Sequence, residues 1–171
     1  MNDENLNNFI NEFKKCTAIK QRATLNILSD SYKIKKSDLK KVIKAKEVYE
    51  FIKPLIAYKE QEHLLVLLIN KDSKIFGKKI ITIGTNDLTL ISNKDILKYA
   101  LLNNATAIII SHNHPSDNSL ASFEDKRATR SLESACKVID VTLLDHIITC
   151  ISGYYSFKED GLLWILKIKV I

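Results

Sequence analysis

Apolar residues recur at helical spacing over the first part of the chain. Leu6, Phe9, Ile10 and Phe13 mark one stretch, and Ile19, Ala23, Leu25 and Leu28 a second. Thr17 is placed to cap a second short helix. A basic connector, SYKIKKSDLKKVIKAKEVYEFIKPLI, leads into one further helix, where Pro54 either kinks the chain or starts a turn. From Glu62 the texture changes. EHLLVLLIN is an apolar run of strand length, and KKIITIG is a second strand after a turn around Lys71–Lys74. Ser92 or Asn93 caps a helix, ILKYALLNN. ATAIIIS is a short β-branched strand without a polar face, the pattern of a strand covered on both sides. The polar HNHPSDNSLA reads as a loop, and Ser122 opens a helix running to about Val138. VTLLDHIITC is another strand, and Gly153 turns the chain. YYSFKEDGLLWILKIKV closes it, with late alternation that suggests strand pairing.

Strands alternating with helices place the chain in the α/β or α+β class, with a mixed sheet flanked by helices. A length of 171 residues suits one compact domain and an extension. The expected division is a basic helical extension over residues 1–45 and a domain over 46–171. A hydrophobic fraction of 46% supplies a core, so a disordered or fibrous chain is excluded. The start, MNDENLNNF, lacks the basic and apolar regions of a signal peptide. The longest apolar runs are too short to span a bilayer. A soluble, cytoplasmic protein is expected, with no membrane partner. Three widely spaced cysteines, Cys16, Cys136 and Cys150, argue against a disulfide framework.

The net charge of +6 is uneven. Residues 1–59 hold 13 Lys/Arg against 7 Asp/Glu, while residues 60–171 hold 13 of each. The basic N-terminal third either contacts nucleic acid or is a solvated lysine-rich surface.

The chemistry concentrates in SHNHPSDNSLASFED, residues 111–125. His112 and His114 are two apart, so in extended backbone both imidazoles face one side. Ser122 as N-cap makes Asp125 the third residue of the helix, where its carboxylate can swing back toward the preceding strand. Two neutral imidazoles and a carboxylate suit zinc, and three protein ligands leave a fourth position open, as in catalytic sites. Ser122-x-x-Asp125 is equally a capping-box variant that needs no metal, and the two roles are compatible. No H-E-x-x-H helix, deaminase H-x-E with P-C-x-x-C, or glycine-rich phosphate loop is present.

His112-x-His114, seven residues, then Ser122-x-x-Asp125 matches the H-x-H-x7-S-x-x-D motif of the JAMM/MPN metalloprotease family without a gap. More closely, the chain resembles the bacterial RadC-like JAB-domain proteins. The similar segments are Glu62-His63-Leu64, Gly84-Thr85, Ala100-Leu101, Asn104-Ala105 and HNHPS at 112–116. Further along come Thr129-Arg130, Leu132, Leu144-Asp145-His146-Ile147, Ser156-Phe157 and Gly161. The resemblance covers about residues 46–165. It implies a cytidine-deaminase-like sandwich and a zinc-dependent hydrolase acting on peptides or isopeptides. In it His112, His114 and Asp125 hold Zn2+, Glu62 is the general base, and Ser122 supports the oxyanion. Glu60 shares the strand face with Glu62, and the register of the resemblance selects Glu62. Asp145 and His146 are candidates for an outer shell around the metal or for a structural role, and only one of them can face the site. Lys126, Arg127 and Arg130 are either solvated or positioned for an acidic substrate. The family's "DNA repair" label implies an alternative, a DNA-associated accessory protein with a structural or weakly active zinc site. The helix-hairpin-helix module often found ahead of this domain is not evident, because residues 1–45 contain no glycine for its turn. The loop after HNHPS departs from the family in lacking glycine and proline, and Asp117 and Asn118 are expected to supply its left-handed turn.

Overall fold

The computed structural model describes residues 3–30, 44–84 and 91–163. Thr85, the lysine-rich stretch 31–43 and the closing alternation at 164–171 lie outside the described residues, as do the side chains of Leu6 and Leu28. Two helices, α1 (Asp3–Lys15) and α2 (Ala18–Asp30), precede the rest. Thr17 Oγ1 accepts from Lys20 N at 3.4 Å, the bond of an N-cap. Among their described side chains Phe9 and Ile10 are exposed and Ile19 is 79% exposed, while Phe13 and Leu25 are half-buried.

Helix α3 (Ala45–Ile56) buries seven residues, among them Ile52 and Ile56. Pro54 lies in its last turn, where it deletes one backbone hydrogen bond without ending the helix. The sheet has five strands: β1 (Glu62–Ile69), β2 (Ile75–Gly84), β3 (Ala107–Asn113), β4 (Thr142–Thr149) and β5 (Tyr154–Ser156). Their order is β2-β1-β3-β4-β5. Only the central pair, β3 and β4, is parallel; the other pairings are antiparallel. The expected mixed sheet is therefore present. Helices α4 (Asn93–Leu102) and α5 (Phe123–Val138) complete the elements. Ser92, not Asn93, caps α4, accepting from Asp95 N.

Alternation along the strands divides the core between two faces. Leu64, Val66, Leu68, Ile108, Ile110 and Ile148 pack with Ile96 and Ala100 of α4 and Leu132 and Cys136 of α5. Leu65, Leu67, Ile69, Ile109 and Ile147 pack with α3. The central strands are thus apolar on both sides, which explains why β1 and β3 read as runs rather than alternations. No helix among the described residues is long and apolar enough to cross a membrane.

Candidate metal centre

Three side chains meet where β3 ends and α5 begins. His112 is the penultimate residue of β3, paired with Leu64 on one side and Ile148 on the other. The sequence pattern places it in a loop. Ladder bonds on both flanks instead hold it in the strand, and it is 4% exposed. His114 lies just beyond the strand, still tied to β4 by its N–H to the Thr149 carbonyl at 3.3 Å. Asp125 comes from the first turn of α5.

That turn is a capping box. Ser122 Oγ accepts from Asp125 N at 3.1 Å, and Ser122 N donates to Asp125 Oδ2 at 2.9 Å. Ser122 Oγ also donates to Oδ2 at 2.6 Å. Oδ1 is left facing His112 Nε2 at 3.3 Å. Capping and ligation therefore use different oxygens of one carboxylate. In this arrangement the single hydrogen of the Ser122 hydroxyl is committed to Asp125, so donation to an oxyanion requires the hydroxyl to rotate.

His112, His114 and Asp125 form the one cluster of three or more His, Cys, Asp or Glu side chains among the described residues that could share an ion. The donor set can be tested by its spacing. His112 Nε2 and His114 Nε2 are 2.9 Å apart, and His114 Nε2 is 3.8 Å from Asp125 Oδ2. A tetrahedral ion about 2.0–2.1 Å from each ligand atom needs those atoms about 3.3 Å apart. The His112 Nε2–His114 Nε2 and His112 Nε2–Asp125 Oδ1 separations, 2.9 and 3.3 Å, lie near that value, and one ligand atom from each of the three residues lies within 4.8 Å of the other two. His114 Nδ1 lies 2.6 Å from the Asn118 carbonyl, which can only accept. That nitrogen therefore carries hydrogen, which leaves Nε2 as the atom the ring offers to the cluster. Two imidazole nitrogens and a carboxylate oxygen at this range form a donor set that one cation can share. The residues fit a metal ion.

Burial holds His112 well below the usual histidine range, with His114 adding to the effect and Asp125 opposing it. Its ring is neutral near pH 7, the state in which imidazole ligates. Glu62, at the start of β1, has its carboxyl raised above the usual range, first by burial and then by the charge of Asp125, against the pull of His114. The structure thus brings Glu62 within electrostatic reach of the cluster, whereas Glu60 is exposed in the bend before β1.

A family model described as a RadC-like JAB domain matches residues 42–162. The chain belongs to that family. A UPF0758 protein of Streptococcus pyogenes serotype M3 is 36% identical over 150 residues, 88% of this chain and 66% of its own length. One from Chlorobium phaeovibrioides is 37% identical over 127 residues, covering 74% of this chain and 57% of its own length. One from Thermotoga maritima is 35% identical over 115 residues, 67% and 51% respectively. The chain thus spans roughly half to two thirds of the length of these curated relatives. The mixed sheet flanked by helices agrees with the JAB/MPN fold expected of a RadC-like JAB domain.

Within this domain the two adjacent landmark residues separate by face. His146 Nε2 lies 2.8 Å from His112 Nδ1. Asp145 turns the other way and accepts from Ser156 Oγ, Lys158 N and His146 N, holding the turn after β5. Lys126 is half-buried, while Arg127 and Arg130 are exposed. Asp117 does adopt a left-handed conformation, with φ 61°. Its Oδ1 accepts from Ile151 N and Ser152 N, which pins the loop without proline.

In the sequence, Asn113 and Thr129 figure only as part of the family resemblance, with no role, and Arg22 is not singled out. Asn113, fully buried, accepts from His63 N at 2.7 Å and donates to the carbonyls of Lys59 and Gln61. It clamps the backbone on both sides of Glu62. A polar residue between two ligands of a strand faces the opposite side from them, and that was the available signal. Thr129 lies four residues after Asp125, hence on the same helix face. Arg22 of α2 donates to the carbonyls of Pro115 and Lys59, joining the ligand loop to the approach to β1. No local pattern marks a contact across 93 residues.

Proposed function

We propose that this domain is a zinc-dependent amide hydrolase of the peptidase or isopeptidase type, with a peptide or protein substrate. The observation that carries the reading is the cluster of His112, His114 and Asp125, whose ligand atoms all lie within 4.8 Å of one another, with Glu62 at the start of β1, the strand paired with the one that carries His112. Nitrogen and oxygen donors without thiolates suit zinc, and three protein ligands leave a coordination position for water or substrate. His114 and Asp125 keep 15% and 16% of their side-chain surface open, so the cluster is reachable from solvent. Leu120 and Phe123 stand exposed on either side of Ser122, an apolar rim suited to the side chains of a polypeptide.

Zinc in this site supplies Lewis acidity, polarising a carbonyl and acidifying water to a pKa of about 7. The remaining work falls to the chain. Glu62, its carboxyl raised above the usual range by burial, takes the proton from the attacking water and returns it to the leaving amine nitrogen as the C–N bond breaks. Asn113 holds the strand entry that aims Glu62. The Ser122 hydroxyl, on turning from Asp125 Oδ2, donates to the developing oxyanion.

Glu62→Gln tests this. Screened on peptide and isopeptide libraries, the variant is expected to keep its metal and lose about 10²–10⁴-fold in rate. Equal turnover by variant and wild type would overturn the proposal.

A further inference from the structure

A chain of buried hydrogen bonds runs behind the cluster and ends on one of its members. Thr129 Oγ1 lies 2.6 Å from the Asp125 carbonyl oxygen and 2.6 Å from His146 Nδ1. A hydroxyl has one hydrogen, and a carbonyl can only accept. The Thr129 hydrogen therefore points to Asp125 O, and Thr129 Oγ1 accepts from His146 Nδ1. His146 is fully buried and stacked on Phe157 at 4.6 Å, and an uncharged imidazole carries hydrogen on only one ring nitrogen. With hydrogen on Nδ1, its Nε2 is bare and accepts from His112 Nδ1 at 2.8 Å. His112 in turn presents a bare Nε2 to His114 and Asp125. Each direction follows from the one before it, and the series starts at a backbone carbonyl that cannot change its role.

We propose that Thr129 and His146 are positioning residues that lock His112 in its Nδ1–H tautomer and thereby set the metal affinity of the site. The proposal rests on the metal-site reading above and adds its regulation. The relay starts on the backbone of Asp125, so it also fastens the ligand from β3 to the helix turn carrying the ligand from α5. Groups behind a ligating imidazole commonly control affinity by 10–100-fold. Here the group is a second histidine, whose own tautomer depends on one hydroxyl.

Thr129→Val is nearly isosteric and deletes that hydroxyl. His146 Nδ1–H then faces no acceptor. The buried ring is satisfied again only by carrying its hydrogen on Nε2, which obliges His112 to carry its own on Nε2, the ligand atom. Thr129→Ser keeps the hydroxyl. The first readout needs no metal: nitrogen-15 NMR of histidine-labelled, metal-free full-length chain at neutral pH. His112 is expected to be protonated on Nδ1 in wild type and Thr129→Ser, and on Nε2 in Thr129→Val. The second readout is zinc affinity by competition with a chromophoric chelator. Thr129→Val is expected to lose about 10–100-fold, with Thr129→Ser close to wild type. An unchanged tautomer and unchanged affinity in Thr129→Val would overturn the relay. Should wild type bind no zinc, the metal-site reading fails, while the tautomer shift still judges the relay. Should Thr129→Val fail to fold, His146→Gln, whose side-chain carbonyl can accept from His112, is compared with His146→Leu. Affinity kept in the first and lost in the second supports the relay, and equal behaviour of the two contradicts it.

Discussion

The two halves of β3 are equally buried and do different work. Ala107, Ile108, Ile109 and Ile110 are apolar and fill the two cores. Ser111, His112 and Asn113 are polar, no more than 4% exposed, and each has a named hydrogen-bond partner: Thr149, His146, and the 59–63 segment respectively. Burying a polar group is costly unless it is paired, so the second half of the strand is tolerated only because its neighbours were built to receive it. Stability should therefore reside in the first half, and metal binding and the aim of Glu62 in the second.

Substitutions in the two halves can break that division. Ile110→Ala leaves a cavity in the α4/α5 face and is expected to cost about 2–5 kcal/mol in denaturant unfolding while metal stoichiometry stays at wild type. Metal lost in step with stability would contradict the separation. Asp145 tests the polar layer through pH. Burial raises its carboxyl to about 6 in spite of three donated hydrogen bonds, against an ordinary value of 3.8. A raised carboxyl favours the fold while protonated. Its contribution is thus full below pH 4 and is lost as pH rises through about 6, on the order of 3 kcal/mol. Asp145→Asn keeps an acceptor for the two backbone N–H groups and should flatten that loss, measured as unfolding free energy at pH 4.5 and 7.5. The same slope in both proteins would show that Asp145 does not carry it.

Asn113→Ala leaves the His63 N–H and the Lys59 and Gln61 carbonyls without their partner, an expected cost of about 1–3 kcal/mol. Its sharper signature is functional. Metal content is expected to persist while hydrolysis falls, because Glu62 loses its clamp and the ligands do not. Ser122→Ala costs least in stability and metal binding. Loss of the N-cap is expected to lower stability by about 0.5–2 kcal/mol, with Asp125 Oδ1 still facing His112 and metal retained. Loss of metal in Ser122→Ala would mean that the cap, not the strand, orders the carboxylate.

The ligand set was legible in the sequence because its members are close in the chain and bounded by recognisable elements. His112 and His114 follow a β-branched run, and Ser122-x-x-Asp125 is a helix start, so short-range geometry brings them together. The mixed sheet was legible for the same reason. The relay was not. His146 reaches His112 through the parallel pairing of β3 and β4, whose register slips between Ile108 and Ile109. Which of Asp145 and His146 faces the site depends on that slip, and no periodicity reports it. The end of β3 was also misplaced. Polar residues read as loop, whereas ladder bonds to β1 and β4 carry the strand through His112 and Asn113. Exposed Phe9, Ile10 and Ile19 show the converse: helical spacing marked α1 and α2 without saying whether their apolar faces would be covered.

Metal content bears most directly on the cluster. Tag-free protein purified without chelators, beside Asp125→Asn and His114→Ala, is to be analysed by plasma mass spectrometry. About one zinc per wild-type chain and its loss from both variants, with folding intact by circular dichroism, is the expected result. Wild type without metal after incubation with zinc would reduce Ser122-x-x-Asp125 to a helix cap and remove the basis for the hydrolase.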